Sequence, residues 1–196
     1  MRLPFCQSLR IVDRIREGIY PEGDTGMEQL LCPNCGAAVT SWRNPAPTAD
    51  VIIYEPERGV VLVERGRPPL GHALPGGFVE VGESVENAAV REAFEETHLE
   101  VILTGLLGVY SDPARDPRRH TMSTVYIARA LHPENLRAGD DAAGAAWWSL
   151  DKLPALAFDH ARILGHFCEV LAGRRTTATV DEAKTRAESP AQNPKQ

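Results

Sequence analysis

The chain has 196 residues, 43% of them hydrophobic and 24% charged, an ordinary globular composition with length for one compact domain plus appendages. Its formal net charge of -6 excludes a general nucleic-acid or anionic-membrane binder, which needs a basic surface, but not a phosphorylated substrate, because metal ions supply positive charge locally. There is no apolar run of about 18 residues to span a membrane, and Arg10, Asp13, Arg14 and Arg16 interrupt any signal-type apolar segment, so the expected location is the cytoplasm.

In chain order, residues 7–19 are predicted as a helix with Leu9, Val12, Ile15 and Ile19 on one face. Residues 20–31 read as a linker, because Pro21, Gly23, Asp24 and Gly26 are turn formers. Cys32-Pro33-Asn34-Cys35-Gly36 is a knuckle-like turn, and Asn44-Pro45-Ala46-Pro47 marks the start of the main domain. Asp50–Tyr54 and Val60–Glu64 read as strands joined by the polar turn Glu55–Gly59. A Gly/Pro-rich stretch over Arg67–Gly77 follows, and Ser84 sits where an N-cap belongs, before a helix to about Thr97. Val101–Tyr110 and Thr121–Ala130 read as longer strands around the polar loop Ser111–His120, and Ala145–Leu150 as a short strand. Asp159–Arg174 reads as a closing helix with Ile163, Phe167 and Leu171 at four-residue spacing. From Thr176 onward large apolar residues are nearly absent, and the tail 176–196 is expected to be disordered. This divides the chain into an N-terminal arm over 1–44, a main domain over 45–175 and the tail. Strands separated by a few helices suggest an α/β layered domain.

The informative segment runs from Gly76 to Leu99. On a helix, Glu92 lies three residues from Glu95 and four from Glu96, so the carboxylates crowd one side. Like charges at that spacing cost roughly 0.2–0.5 kcal/mol per pair. Arg91 relieves Glu95 at i+4, and the remaining repulsion asks for another cation. Oxygen ligands of this kind suit Mg²⁺ or Mn²⁺. The opposite face carries Val85, Ala89 and Ala93 with Val90 and Phe94 beside them, small enough to pack closely on a sheet. The loop Leu74-Pro75-Gly76-Gly77 can bring backbone carbonyls to the same place, since glycine permits close approach. Acidity alone would equally describe a solvated helix face.

The full spacing resembles the Nudix hydrolase signature, G-x5-E-x7-R-E-U-x-E-E-x-G-U with U a bulky aliphatic. Gly77, Glu83, Arg91, Glu92, Glu95, Glu96 and Leu99 match it, while Ala93 replaces the first aliphatic and His98 the final glycine. Position 98 is where a left-handed residue closes the helix, which His tolerates better than a β-branched residue does. The resemblance implies an α/β/α sandwich around a mixed sheet and hydrolysis of a nucleoside diphosphate linked to another moiety, by water attack on phosphorus. By position it implies Glu95, Glu96 and the Gly76 carbonyl as metal ligands. Glu92, also counted with the metal ligands, resembles the residue that orients or activates metal-bound water, and Arg91 and Glu83 hold the carboxylates in place.

The loop Gly108–His120 and the later Leu156-Ala157-Phe158-Asp159-His160 resemble a prokaryotic ADP-ribose pyrophosphatase subgroup, whose products are AMP and ribose 5-phosphate. Arg115, Arg118 and His120 are then candidates for contact with the diphosphate or terminal ribose; the bland reading is a charged surface turn stiffened by Pro113 and Pro117. Asp112, Asp116, Asp140 and Asp141 are alternatives for an extra metal ligand or base. Trp147 or Trp148 offers an aromatic face for adenine, although one of them at least reads as core. Cys32 and Cys35 resemble half a zinc ribbon; structural zinc needs four ligands, of which Cys6 offers a third, and a metal-free turn is the other reading. Related enzymes are commonly homodimers. Alternatives that stay open are a Nudix pyrophosphatase for NADH, a nucleoside triphosphate or a dinucleoside polyphosphate, and a non-catalytic ADP-ribose-binding regulator. The intact glutamates, and the lack of a basic recognition helix in residues 1–45, favour the enzyme.

Overall fold

The structure is a computed structural model that describes residues 26–139 and 142–179. The chain divides into two compact units at Pro45 and Ala46. The predicted helix over 7–19, Cys6, Asp140, Asp141 and the tail beyond residue 179 lie outside the described residues.

In the first unit, β1 (Met27–Leu31) pairs antiparallel with β2 (Ala38–Trp42). This corrects the linker reading at its C-terminal end. The Cys32–Gly36 turn folds the chain back, with the Gly36 N–H donating to the Cys32 carbonyl at 2.8 Å and the Cys32 N–H to the Ala37 carbonyl at 2.9 Å. The strand therefore exists through its cross-strand partner, which local composition does not reveal. Cys32 is buried and Cys35 is exposed. Among the described residues no cluster of three His, Cys, Asp or Glu side chains forms around them.

The second unit is a mixed sheet with one helix on each face. Its strands are β3 (Ala46–Glu55), β4 (Gly59–Arg65), β5 (His72–Ala73), β6 (Gly76–Phe78), β7 (Val101–Tyr110), β8 (Thr121–Ala130) and β9 (Ala142–Trp148); the helices are α1 (Val85–Thr97) and α2 (His160–Leu171). The main path runs β5-β4-β3-β8-β7, with β6 on β3 and β9 on β4. β3 and β8 are parallel, and the other pairs are antiparallel. The α/β/α expectation holds. The Gly/Pro-rich stretch nevertheless contains β5 and β6, which at two and three residues are too short to show a period of two.

Alternation along β3 assigns its side chains to the two layers. Ala49, Val51 and Ile53 pack with Ala88, Ala89 and Ala93 of α1, whereas Ile52 packs with Ile163, Leu164 and Phe167 of α2. Asp50 thus belongs to the α2 side. Leu171, expected on the buried stripe, is exposed, because α2 closes there as the Ala172 and Gly173 N–H groups bond back to the Cys168 and Val170 carbonyls. Ala178, placed by sequence in the disordered tail, exchanges two backbone hydrogen bonds with Leu106.

β3 and β4 are paired only beside their turn, at Tyr54–Val60 and Glu55–Gly59. Farther along they diverge, β3 taking β6 and β4 taking β5 and β9. The fork places the Leu74–Gly77 loop between two leaves of sheet. Gly59 holds its closed end: its φ is +88°, and an added Cβ would fall 2.0 Å from the Trp148 carbonyl oxygen. Backbone strain and overpacking act together, so Gly59→Ala is expected to lower stability by about 2 kcal/mol or more. Urea unfolding would measure it, and an unchanged midpoint would contradict this account of the turn.

Candidate active site

α1 starts and stops where its sequence dictates. The Ser84 hydroxyl accepts the Asn87 N–H at 3.2 Å as N-cap. His98 closes the helix in the left-handed region at φ 55°, its N–H bonded to the Phe94 carbonyl. Ala93, where the signature has a bulky aliphatic, is fully buried against the sheet; Phe94, read as flanking the buried face, is instead half exposed and lies against the His98 ring.

The buried alanines turn the acids outward, and Arg91 gathers them. Its guanidinium bonds Glu83 at 2.7 and 3.2 Å, Glu92 at 2.9 Å, Glu95 at 3.0 Å and the Phe78 carbonyl at 3.1 Å. The Glu83 carboxyl is held below its ordinary range by the Arg91 hydrogen bonds. Burial pushes Glu92 the other way, only partly offset by Arg91. Gly77 makes the arrangement possible, since an added Cβ there would lie 2.3 Å from a Glu92 carboxylate oxygen.

Glu96 faces elsewhere and accepts the Gly76 N–H at 3.0 Å. Burial pushes its carboxyl up to about 7; the Gly76 hydrogen bond opposes this, while the Glu92 and Asp50 charges add to it. Among the described residues no three ligand-type side chains converge as a preformed metal cage. Glu92 and Glu95 turn to Arg91, the nearest cation, so the three glutamates crowded together on the helix point to two different partners. The donor set remains oxygen-only and, with one arginine against four glutamates, anionic. Such a set fits a hard divalent ion.

Glu96, Gly76 and Gly77 form one side of an open cleft of about 470 Å³ that occupies the sheet fork. Its floor includes Thr48 and Asp50 of β3 and Val63 and Arg65 of β4; its far side is built from Arg115, Asp116, Arg118, Phe158 and His160. Arg115 is buried. It bonds Asp159 at 2.9–3.2 Å, the Thr121 hydroxyl at 3.0 Å and Asp50 at 3.3 Å, so it builds the wall rather than presenting a free fork. Asp50 also accepts the Ser123 hydroxyl. His160 is fully buried, which lowers its pKa. Its Nδ1 accepts the Leu74 N–H at 2.9 Å, which puts the proton on Nε2, 3.8 Å from Asp50. The loop that carries Gly76 is thereby tied to α2.

The other sequence candidates fall in three places. Arg118 lines the cleft, gripped by buried Asp116 at 2.8 and 3.0 Å. Asp112 and His120 close the loop on itself, Asp112 accepting the Ala114 N–H at 2.9 Å and His120 Nε2 lying 3.2 Å from the Ser111 carbonyl. Trp147 packs on the α1-side core with its indole N–H donated to the Pro133 carbonyl at 3.3 Å, and does not line the cleft. Sequence reading missed Asp50 and Arg65, and marked the segment of Phe158 and His160 without giving either residue a role. For Asp50 a signal existed: a lone acid opening an otherwise apolar strand.

Two outcomes follow from this geometry. Gly77→Ala is expected to displace the Glu92 carboxylate and lower activity by about tenfold or more while leaving the melting temperature nearly unchanged, because the clash falls on a movable side chain; full activity would contradict it. Between pH of about 4.5 and 7 the folded metal-free chain holds a Glu96 proton that the unfolded chain has released. Its contribution to stability is therefore present below pH 4.5 and lost as pH rises toward 7. Calorimetric melting in chelator should show wild type losing stability across that window relative to Glu96→Gln; parallel profiles would contradict the burial argument.

Known proteins resemble this chain in sequence and fold. Residues 44–167 match the family described as NUDIX domain. The ADP-ribose pyrophosphatase of Methanocaldococcus jannaschii is 50% identical over 123 residues, 62% of this chain and 72% of that protein. Among solved structures, a NUDIX hydrolase from Nitrosomonas europaea is similar with a TM-score of 0.64 at 26% identity, covering 82% of this chain and 88% of the other. The NUDIX domain of Shewanella oneidensis NrtR, solved with ADP ribose, is similar with a TM-score of 0.59 at 26% identity, covering 66% of this chain and 90% of the other. With the signature spacing, the sandwich and the match over most of the second unit in agreement, this chain belongs to the NUDIX domain family.

Proposed function

We propose that this chain hydrolyses ADP-ribose to AMP and ribose 5-phosphate with Mg²⁺ or Mn²⁺ bound at its glutamates. The observation that carries the reading is the 50% identity over 123 residues to an ADP-ribose pyrophosphatase. The cleft chemistry supports it, with an acidic side at Glu96 and a basic side at Arg65 and Arg118. Glu92, Glu95, Glu96 and the Gly76 carbonyl would hold the metal, which when bound makes water acidic and neutralises diphosphate charge.

The chain's own residues do the rest. Glu92, held beside Gly77 at the edge of the cleft, would serve as the proton acceptor for the attacking water. Arg91 fixes its orientation through the 2.9 Å bond, and Glu83 fixes Arg91. The water proton passes to Glu92 as the water oxygen bonds phosphorus, and the bridging P–O bond breaks with the second phosphate leaving. Arg118, aimed by Asp116, offers donors to the diphosphate. The reading includes the homodimer that the family resemblance implies, and a cytoplasmic location. Among the described residues no helix is long and apolar enough to cross a membrane.

Product chromatography on a panel of ADP-ribose, NADH, nucleoside triphosphates and dinucleoside polyphosphates tests the substrate. AMP release from ADP-ribose is expected to dominate; strong cleavage of another member with none of ADP-ribose would overturn the substrate and keep the family. Binding of ADP-ribose without turnover would point to a regulator. Glu96→Gln is expected to lower kcat by on the order of a hundredfold or more with the fold intact, since an electrostatic contribution of several kcal/mol is removed. An unchanged rate would remove Glu96 from the metal site.

A further inference from the structure

The far side of the cleft holds a feature that the glutamate site does not use. Phe158 has φ 56°, a left-handed conformation that is an outlier for a bulky residue. Its ring has two guanidinium groups over it, with Arg65 Cζ 4.6 Å and Arg118 Cζ 5.2 Å from the centroid. The three residues come from β4, the loop before β8 and the segment before α2, and all three line the cleft. Each arginine is aimed from behind. The Arg65 Nε–H donates to the Pro69 carbonyl at 2.7 Å, and the Arg118 Nε–H and Nη2–H donate to Asp116. Among the described residues both Nη groups of Arg65 and the Nη1 of Arg118 have no hydrogen-bond partner in the structure. On its other flank the Phe158 ring lies 5.3 Å from the ring of His160, which anchors Leu74.

Two like charges held near one another with unpaired donors are an arrangement that an anion completes. The face of an aromatic ring attracts each cation and fixes its plane. A strained backbone persists where its surroundings over-determine it, and such strain concentrates at ligand clamps. We propose that Phe158 is a positioning residue whose ring sets Arg65 and Arg118 as a two-armed clamp for a phosphate of the diphosphate substrate, opposite the glutamates. The clamp rests on the pyrophosphatase reading for its ligand class. It makes Phe158 a determinant of substrate affinity rather than of the chemical step, because its ring meets the two guanidinium groups and not the glutamates.

The test uses the full chain with Phe158→Leu, Phe158→Gly and Phe158→Tyr. The first removes the ring and keeps an apolar side chain, the second also relieves the left-handed backbone, and the third keeps the ring. Binding of inorganic pyrophosphate without metal is measured by calorimetry, and KM and kcat for ADP-ribose with Mg²⁺ by steady-state kinetics. The Leu and Gly variants are expected to weaken pyrophosphate binding and raise KM by about tenfold with kcat within about twofold, while Tyr matches wild type. Wild-type affinity in Leu or Gly, no pyrophosphate binding by wild type, or a fall confined to kcat would overturn the clamp. A measurement on wild type guards against variants that fail to fold: pyrophosphate is expected to shift the NMR signal of the Phe158 ring, and an unmoved signal overturns the proposal. The pyrophosphate result does not depend on which substrate is cleaved. Loss of binding in Leu with no ADP-ribose cleavage would keep the clamp and sink the substrate. ADP-ribose cleavage with unchanged binding in Leu would do the reverse.

Discussion

Arg115 carries a charge buried away from water, and the cleft is built around that constraint. Its guanidinium joins Asp159 at the start of α2, Asp50 on β3 and Thr121 on β8. Three elements distant in sequence are therefore cross-linked behind the cleft. A buried ion pair contributes little over an apolar substitute, but leaving one partner alone costs about 3–5 kcal/mol. The group therefore acts through specificity of arrangement. Asp159 illustrates the cost locally. As the residue before α2 it is suited to cap the helix, yet its side chain makes no capping bond, since its carboxylate belongs to Arg115.

The opposite side is governed by crowding of like charge. One guanidinium, Arg91, serves Glu83, Glu92 and Glu95, and its reach fixes where those acids sit. Glu96 is left with a backbone N–H, in a buried position where ionisation near neutral pH is contested. Such a site is unfavourable for the chain by itself and favourable for a hard cation, which is why acids concentrate there at a cost to the helix. The close approach of Glu92 to Gly77 shows the tolerance involved: a single methyl group would occupy the carboxylate's position.

The two sides meet because the sheet forks. Had β3 and β4 stayed paired along their length, the Leu74–Gly77 loop would have no gap to enter. Instead the leaves separate, β6 edges onto β3, and His160 holds Leu74 from the α2 layer. Acidic and basic groups then face one another across an open cleft, with the sheet setting the separation.

The sequence by itself determined the helix, its caps and its chemistry. Ser84, the alanines at 89 and 93, the acids at 92, 95 and 96 and the left-handed position at His98 are all local, repeating every turn or fixed by a single residue's φ preference, so spacing alone exposes them. The family followed from the same spacing, as did the strands long enough to alternate. Only the tertiary structure decided the rest. β1, β5 and β6 are defined by the strands they pair with rather than by any pattern of their own, so the linker and the Gly/Pro-rich loop concealed them. Whether Arg115 reaches a ligand or two aspartates, whether Trp147 faces adenine or core, and which arginines stand over Phe158 depend on distances between separate elements. Those distances follow from how two leaves of sheet separate, which no run of neighbouring residues encodes.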